Sequence, residues 1–259
     1  MGRSMLMVIA LGAMSLCSNA RAEQIPVRHI QTPMHQSMVA RSADGKVIAS
    51  CEFLQVVQGD EVIMRMTYNF LDGSLDEETT TYSQRGTFRL LRNHQIQKGP
   101  FFGKGMDFSV EAATGTATST TVDNHGKQTA ESAHMSLPND LSNGLVGTLL
   151  LNVPNNTAPF TLGMLAPVGT GRLIRILVSR DGEQQFRMDG QTRKATVFRI
   201  HPVLGAIVGW VAPMVGLQPK DVMVWVLEGD NPDIVRIVGQ LGAFGPVVSS
   251  ELEGASFNQ

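Results

Sequence analysis

Residues 62–70 alternate with period two. Val62, Met64, Met66, Tyr68 and Phe70 fall on one side, and Ile63, Arg65, Thr67 and Asn69 on the other. A helix would scatter those five apolar side chains around its axis, whereas an extended strand gathers them on one face. The segment is therefore expected to be a half-buried strand. The same pattern recurs along most of the chain. "KVIASCEFLQVV" precedes it across the turn "QGDE", and "ETTTYSQ", "GTFRLLRNHQI", "DFSVEAAT" and "TATSTTV" follow the turn "LDGSLDE". The second half reads "FTLGMLA", "GRLIRILVS", "QQFRMD", "TRKATVFRIH", "DVMVWVLEG", "DIVRIVGQL" and "PVVSSELE", split by "RDGE", "DGQ" and "GDNPD". Gly, Pro, Asn and Asp at those breaks are the residues of tight turns. Many short strands joined by short turns predict a mainly β fold, an antiparallel meander that forms a curved sheet or open barrel.

Two helices are expected to interrupt it. Over about 138–152, Pro138 suits a first turn, Leu141, Leu145 and Leu149 recur every fourth residue, and Pro154 marks a stop. Gly144 and Gly147 weaken this helix, so it must lean on the sheet. The second lies in the uncharged stretch 203–217. As a helix that stretch spans roughly 22 Å, short of the roughly 30 Å of a bilayer core. Pro213 and three glycines also break it. It is expected to form a short bent apolar helix, about 204–215, that covers one end of the sheet.

The first 22 residues read as an export leader: Arg3, then the apolar run "MLMVIALGAMSLC", then the small-residue site "ARA" ending at Ala22. Leu16 before Cys17 argues against lipid modification of that cysteine. The expected organisation is a leader over 1–22, an extended arm over 23–45, one β-rich domain over 46–253 and a tail over 254–259. The protein is expected to be periplasmic or secreted. Loss of the leader leaves Cys51 as the one cysteine, so no internal disulfide can form. It also moves the net charge from −2 to −4. No basic block is present, which speaks against a nucleic-acid partner.

The strings "NFLDGSLDEETTTYSQRGTFRL", "HQIQKGPFF", "LPNDLSNGL", "RKATVFRI" and "APMVGLQPKDVMVW" resemble those of an uncharacterised family of exported bacterial proteins, a domain-of-unknown-function group. The resemblance spans about residues 47–252. It implies a curved antiparallel sheet or open barrel, similar in outline to lipoprotein-carrier and lipocalin-like folds. It implies no activity and no catalytic residues.

Little in the sequence carries chemistry. "DGSLDEE" places Asp72, Ser74, Asp76, Glu77 and Glu78 together, but Glu77 and Ser83 stand where an EF-hand loop needs Gly and Glu. The six histidines show no metal spacing, and no nucleophile elbow, Walker loop or dinucleotide fingerprint occurs. Cys51 in "IASCEF" reads as a small core hydrophobe. No cofactor, metal or catalytic residue is assigned, and the balance leans away from an enzyme. The apolar stripe of Met64, Met66, Tyr68 and Phe70, and the strand carrying Met223 and Trp225, read first as core and second as the wall of an apolar pocket. With Trp210 and Met214 of the apolar stretch, these eight are the candidate ligand-binding residues. The expected function is binding or carrying a small hydrophobic molecule or lipid. An envelope assembly protein using 203–217 is the first alternative. A hydrolase or lyase acting on an envelope polymer, with Asp72, Asp76 and His94 as first suspects, is the second.

Overall fold

The structure is a computed structural model that describes residues 24–122, 125–203, 219–241 and 245–257. The expected leader and the expected apolar helix, with Trp210 and Met214, lie outside the described residues.

The chain is built almost wholly of strands. The first half forms β1 (Met34–Arg41), β2 (Val47–Gln58), β3 (Glu61–Phe70), β4 (Leu75–Ser83), β5 (Arg89–Lys98), β6 (Gly105–Glu111), β7 (Thr116–Val122) and β8 (Gln128–His134). After α1 (Val146–Leu150) come β9 (Phe160–Ala166), β10 (Arg172–Met188), β11 (Gln191–Val203), β12 (Val222–Leu227), β13 (Ile234–Gln240), β14 (Val247–Leu252) and β15 (Ala255–Phe257). All pair antiparallel into one sheet, in the order β15-β10-β11-β12-β13-β14-β1-β2-β3-β4-β5-β6-β7-β8. β9 and β15 share the outer edge of β10, and β8 pairs only with β7, so the sheet stays open. The antiparallel curved-sheet expectation holds.

One face of the sheet turns inward. Val62 of β3, Phe108 of β6, Ala117 of β7, Ile176 of β10, Phe198 of β11 and Val224 of β12 join a single buried cluster with Leu145 and Leu149. Strands far apart in the sheet can meet this way only if the sheet curls around the segment that carries those leucines. The side chains on this face lie in rows across the strands. One row runs Gln36, Phe53, Met66, Glu78, Gln95 and Phe108, and the next runs Met38, Cys51, Tyr68, Asp76 and Gln97.

Four differences from the sequence reading have plain physical causes. The helix expected over 138–152 is confined to Val146–Leu150. Gly144 sits at φ +62°, a left-handed conformation that no α-helix accommodates, so the segment before it is a chain of turns. Residues 34–41 of the expected arm are β1, a central strand of the sheet. Part of the expected tail is β15, which stacks Phe257 on Phe186 at 5.0 Å. "RDGE" is not a turn: β10 runs straight through it. Arg180 pairs with Phe198 and Gly182 with Val197, so Asp181 is an extra, bulged residue. A bulge reverses the alternation. Ile176 and Val178 before it face inward, whereas Phe186 after it joins Ala195, Val197, Trp225 and Val235 in a second cluster on the outer face. The adjoining turn follows the sequence: Asp189 and Gly190, at φ 51° and 74°, link Met188 to Gln191 as a two-residue hairpin.

Candidate functional site

The 138–153 segment fills most of the space inside the curl. Ser142 Oγ donates to the Gly163 carbonyl at 2.8 Å. Asn143 both donates to and accepts from the Leu165 backbone, at 2.8 and 2.9 Å, so its amide acts as a further rung along β9. Asn152 Oδ1 accepts the backbone N–H groups of Arg28 and His29, at 2.8 and 2.7 Å. Leu145, Leu149 and Leu150 are buried in the core. The interior is therefore filled by the chain itself rather than hollow.

A gap lies between this segment and the sheet around β1 and β3. It is a cavity of about 100 Å³ walled by Met34 and Met38 of β1, Phe53 of β2, Met64 and Met66 of β3, Thr148 of α1 and Leu151 at its end, and Ile234 and Ile237 of β13. Four methionines stand on its strand side. Met is unbranched and polarisable, so such a wall adapts its shape to what it holds. Thr148 Oγ1 lies 3.9 Å from Met64 Sδ and 3.5 Å from Tyr82 Oη, which ties the helical turn to the sheet at the back of the cavity. Gln31, Gln36 and Asp233 supply the polar part of the lining.

Beside the cavity, β4 and β5 place a polar strip on the inward face. Asp76 accepts from Gln95 Nε2 at 3.1 Å, and Glu78 accepts from Asn93 Nδ2 at 2.8 Å. Neither carboxyl has an ion-pair partner among the described residues. Burial, the dominant cause, pushes Asp76 up to about 6 and Glu78 up to about 7. Neither lines the cavity. A larger groove of about 500 Å³ opens at the β5–β6 end, lined by residues that include Gln97, Lys98 and Phe102.

The structure divides the eight candidate binding residues. Met64 and Met66 line the cavity together. Tyr68 and Phe70 share their face but belong to the next cluster, where Tyr68 Oη lies 3.0 Å from Ser250 Oγ and Phe70 stacks on Phe101 at 4.1 Å. Met223 and Trp225 point to the opposite face. There Trp225 Nε1 donates to Gln184 Oε1 at 2.7 Å and Arg236 lies 4.9 Å over its ring. The strand apolar on both sides is thus explained by two cores, one on each face of the sheet.

The hydrolase suspects do not converge. Asp72 Oδ1 accepts the Ser74 N–H at 2.9 Å and so holds its own turn. Asp76 faces inward. His94 pairs with Thr79, on the other face of β4, and meets Asp107 at the surface at 2.8 Å. Cys51 is buried and its thiol is pushed up to about 12 by burial, which removes the thiolate needed of a nucleophile. No group of three or more metal-ligating side chains is placed to hold an ion among the described residues.

Sequence reasoning missed the β1 side of the cavity and its polar rim. The signal was present: "MHQSMVA" places Met34, Gln36 and Met38 at alternate positions, the same period that reveals β3. Asp233 lies in a turn, and nothing in a linear sequence says that this turn returns beside β1.

No family model matches the chain, and no curated protein matches it. A solved β-barrel-like protein of domain of unknown function DUF1849 from Brucella abortus is similar in structure, with a TM-score of 0.45 and 8% sequence identity over 89% of this chain and 100% of that one. Like the group that the sequence strings resemble, that neighbour is a β-rich protein of a domain family named for its unknown function.

Proposed function

We propose that this is an exported, non-catalytic binding protein that takes a short apolar group into the methionine-walled cavity on the inward face of its sheet. The observation that carries the reading is the wall itself, in which Met34 and Met38 of β1 and Met64 and Met66 of β3 come together. An apolar cavity of roughly 150 Å³ is known to hold benzene, so about 100 Å³ suits a group of on the order of four carbons. A whole acyl lipid does not fit that space. The reading is therefore narrower than a lipid carrier: the ligand is a small molecule, or the apolar tip of a larger one.

The test is a titration of the full chain with n-butanol, followed through the 13C-methyl resonances of its methionines. Saturable shifts are expected for Met34, Met38, Met64 and Met66, and they are expected to vanish in Met66→Trp, whose ring fills the gap. Shifts that never saturate, or that spread evenly over all methionines, would reject the proposal.

A further inference from the structure

The rim of the cavity carries one carboxylate, Asp233, and two glutamine amides. Gln36 Nε2 donates to Asp233 Oδ2, and the other carboxylate oxygen accepts the Ile234 N–H at 2.8 Å. Gln31 Nε2 donates to the His29 carbonyl at 2.9 Å. Each glutamine amide thus commits one of its two N–H donors, Gln31 to the His29 carbonyl and Gln36 to Asp233 itself. Asp233 offers the cavity rim acceptor oxygen alone, and the amide oxygens of Gln31 and Gln36 add further lone pairs beside it.

The rim is also uncompensated in charge. Both donors to Asp233 are neutral, and among the described residues no basic side chain pairs with it. Residues 204–218 and 242–244 contain no Lys, Arg or His at all. Asp76 and Glu78 are likewise without an ion-pair partner but do not line the cavity, whereas two other enclosed acids do pair with a cation. Asp140 meets Arg175 at 2.7 Å, and Glu251 meets Arg236 at 3.2 Å. Burial raises the Asp233 carboxyl above its ordinary range, the mark of a charge held without a counter-ion. A partly buried carboxylate of this kind gains most from a cation that brings its own donors.

We infer, resting on the apolar-cavity reading, that the ligand is a short aliphatic primary amine whose alkyl end occupies the methionine-walled space and whose ammonium pairs with Asp233. An ammonium has three donors and no acceptor, which suits the Asp233 carboxylate and the amide oxygens beside it. A carboxylate ligand would meet like charge there. An alcohol would keep the apolar contact and lose the ion pair.

The experiment titrates the full chain at pH 7.5 with n-butylamine, n-butanol and butyrate, reading the methyl shifts of Met64 and Met66. Butylamine is expected to bind at least tenfold more tightly than butanol, and butyrate more weakly than either. In Asp233→Asn, the preference for butylamine over butanol is expected to vanish. Asp233→Ser serves the same purpose should the first variant fail to fold. Saturation by butanol with no preference for the amine, or a preference that survives loss of the carboxylate, would overturn this inference and leave the cavity reading standing. Saturation by none of the three probes would instead reject the cavity reading on which it rests.

Discussion

Asp76 and Glu78 are the side chains whose acid–base behaviour the fold changes most usefully for an experiment. In the folded chain both hold their protons to higher pH than the ordinary 3.8 and 4.5, up to about 6 and about 7. Between those limits the folded state binds protons that the unfolded state has released. Stability therefore falls as pH rises through this window. The favourable contribution is complete below about pH 4 and is lost by about pH 7 to 8. Glu78→Gln keeps an acceptor for Asn93 and removes the charge. It is expected to raise stability at pH 8 by on the order of 1–2 kcal/mol and to change it little at pH 4. Urea unfolding midpoints at the two pH values check this. An unchanged difference between them would mean that burial does not govern this carboxyl.

At the level of elements, the segment inside the curl makes a sharp contrast between two glycines. A Cβ on Gly144 would stand 2.0 Å from Thr80 Oγ1 and 2.8 Å from Asn93 Nδ2, at a backbone angle that L residues avoid. On Gly147 it would meet only the Cδ1 tip of Ile234, at 2.8 Å. Gly144→Ala is expected to cost at least about 2 kcal/mol, from the left-handed conformation and the clash together. Gly147→Ala is expected to stay within about 1 kcal/mol of the parent, since helix propensity offsets a contact that a flexible side chain can relieve. Thermal unfolding of the two variants side by side measures the difference. Equal losses would show that the segment is not seated against Thr80 and Asn93.

Elements are also where the reach of the sequence is clearest. Strands such as β3 were legible because alternation records a buried face directly. β8, "QTAESAH", is exposed along almost its whole length and buries no apolar stripe, so it leaves no periodic trace. The bulge at Asp181 carries the same Arg-Asp-Gly letters as a turn, and only the partner strand reveals that the chain continues. Of the site, Met64 and Met66 could be picked from their own strand. Their partnership with β1, Asp233 and the helical turn could not, because it depends on which strands the curl brings together.

For the molecule as a whole, the leader reading has a direct consequence. The mature protein is expected to begin at Glu23, and intact mass measurement of the protein recovered from outside the cytoplasm checks it. Retention of residues 1–22, or recovery in the cytoplasm alone, would remove export from the proposed function.

β1 has a consequence of a different kind. It lies between β14 and β2, so it is the seam at which the strands of the first half join those of the second. One neighbour follows within a few residues, while the other starts at Val247, about 200 residues later. At a ribosome adding roughly 5–20 residues per second, that interval lasts roughly 10–40 s. Throughout it, Met34, Gln36 and Met38 belong to a strand with one bare edge. The binding wall is thus among the first parts of the protein to be made and among the last to be completed.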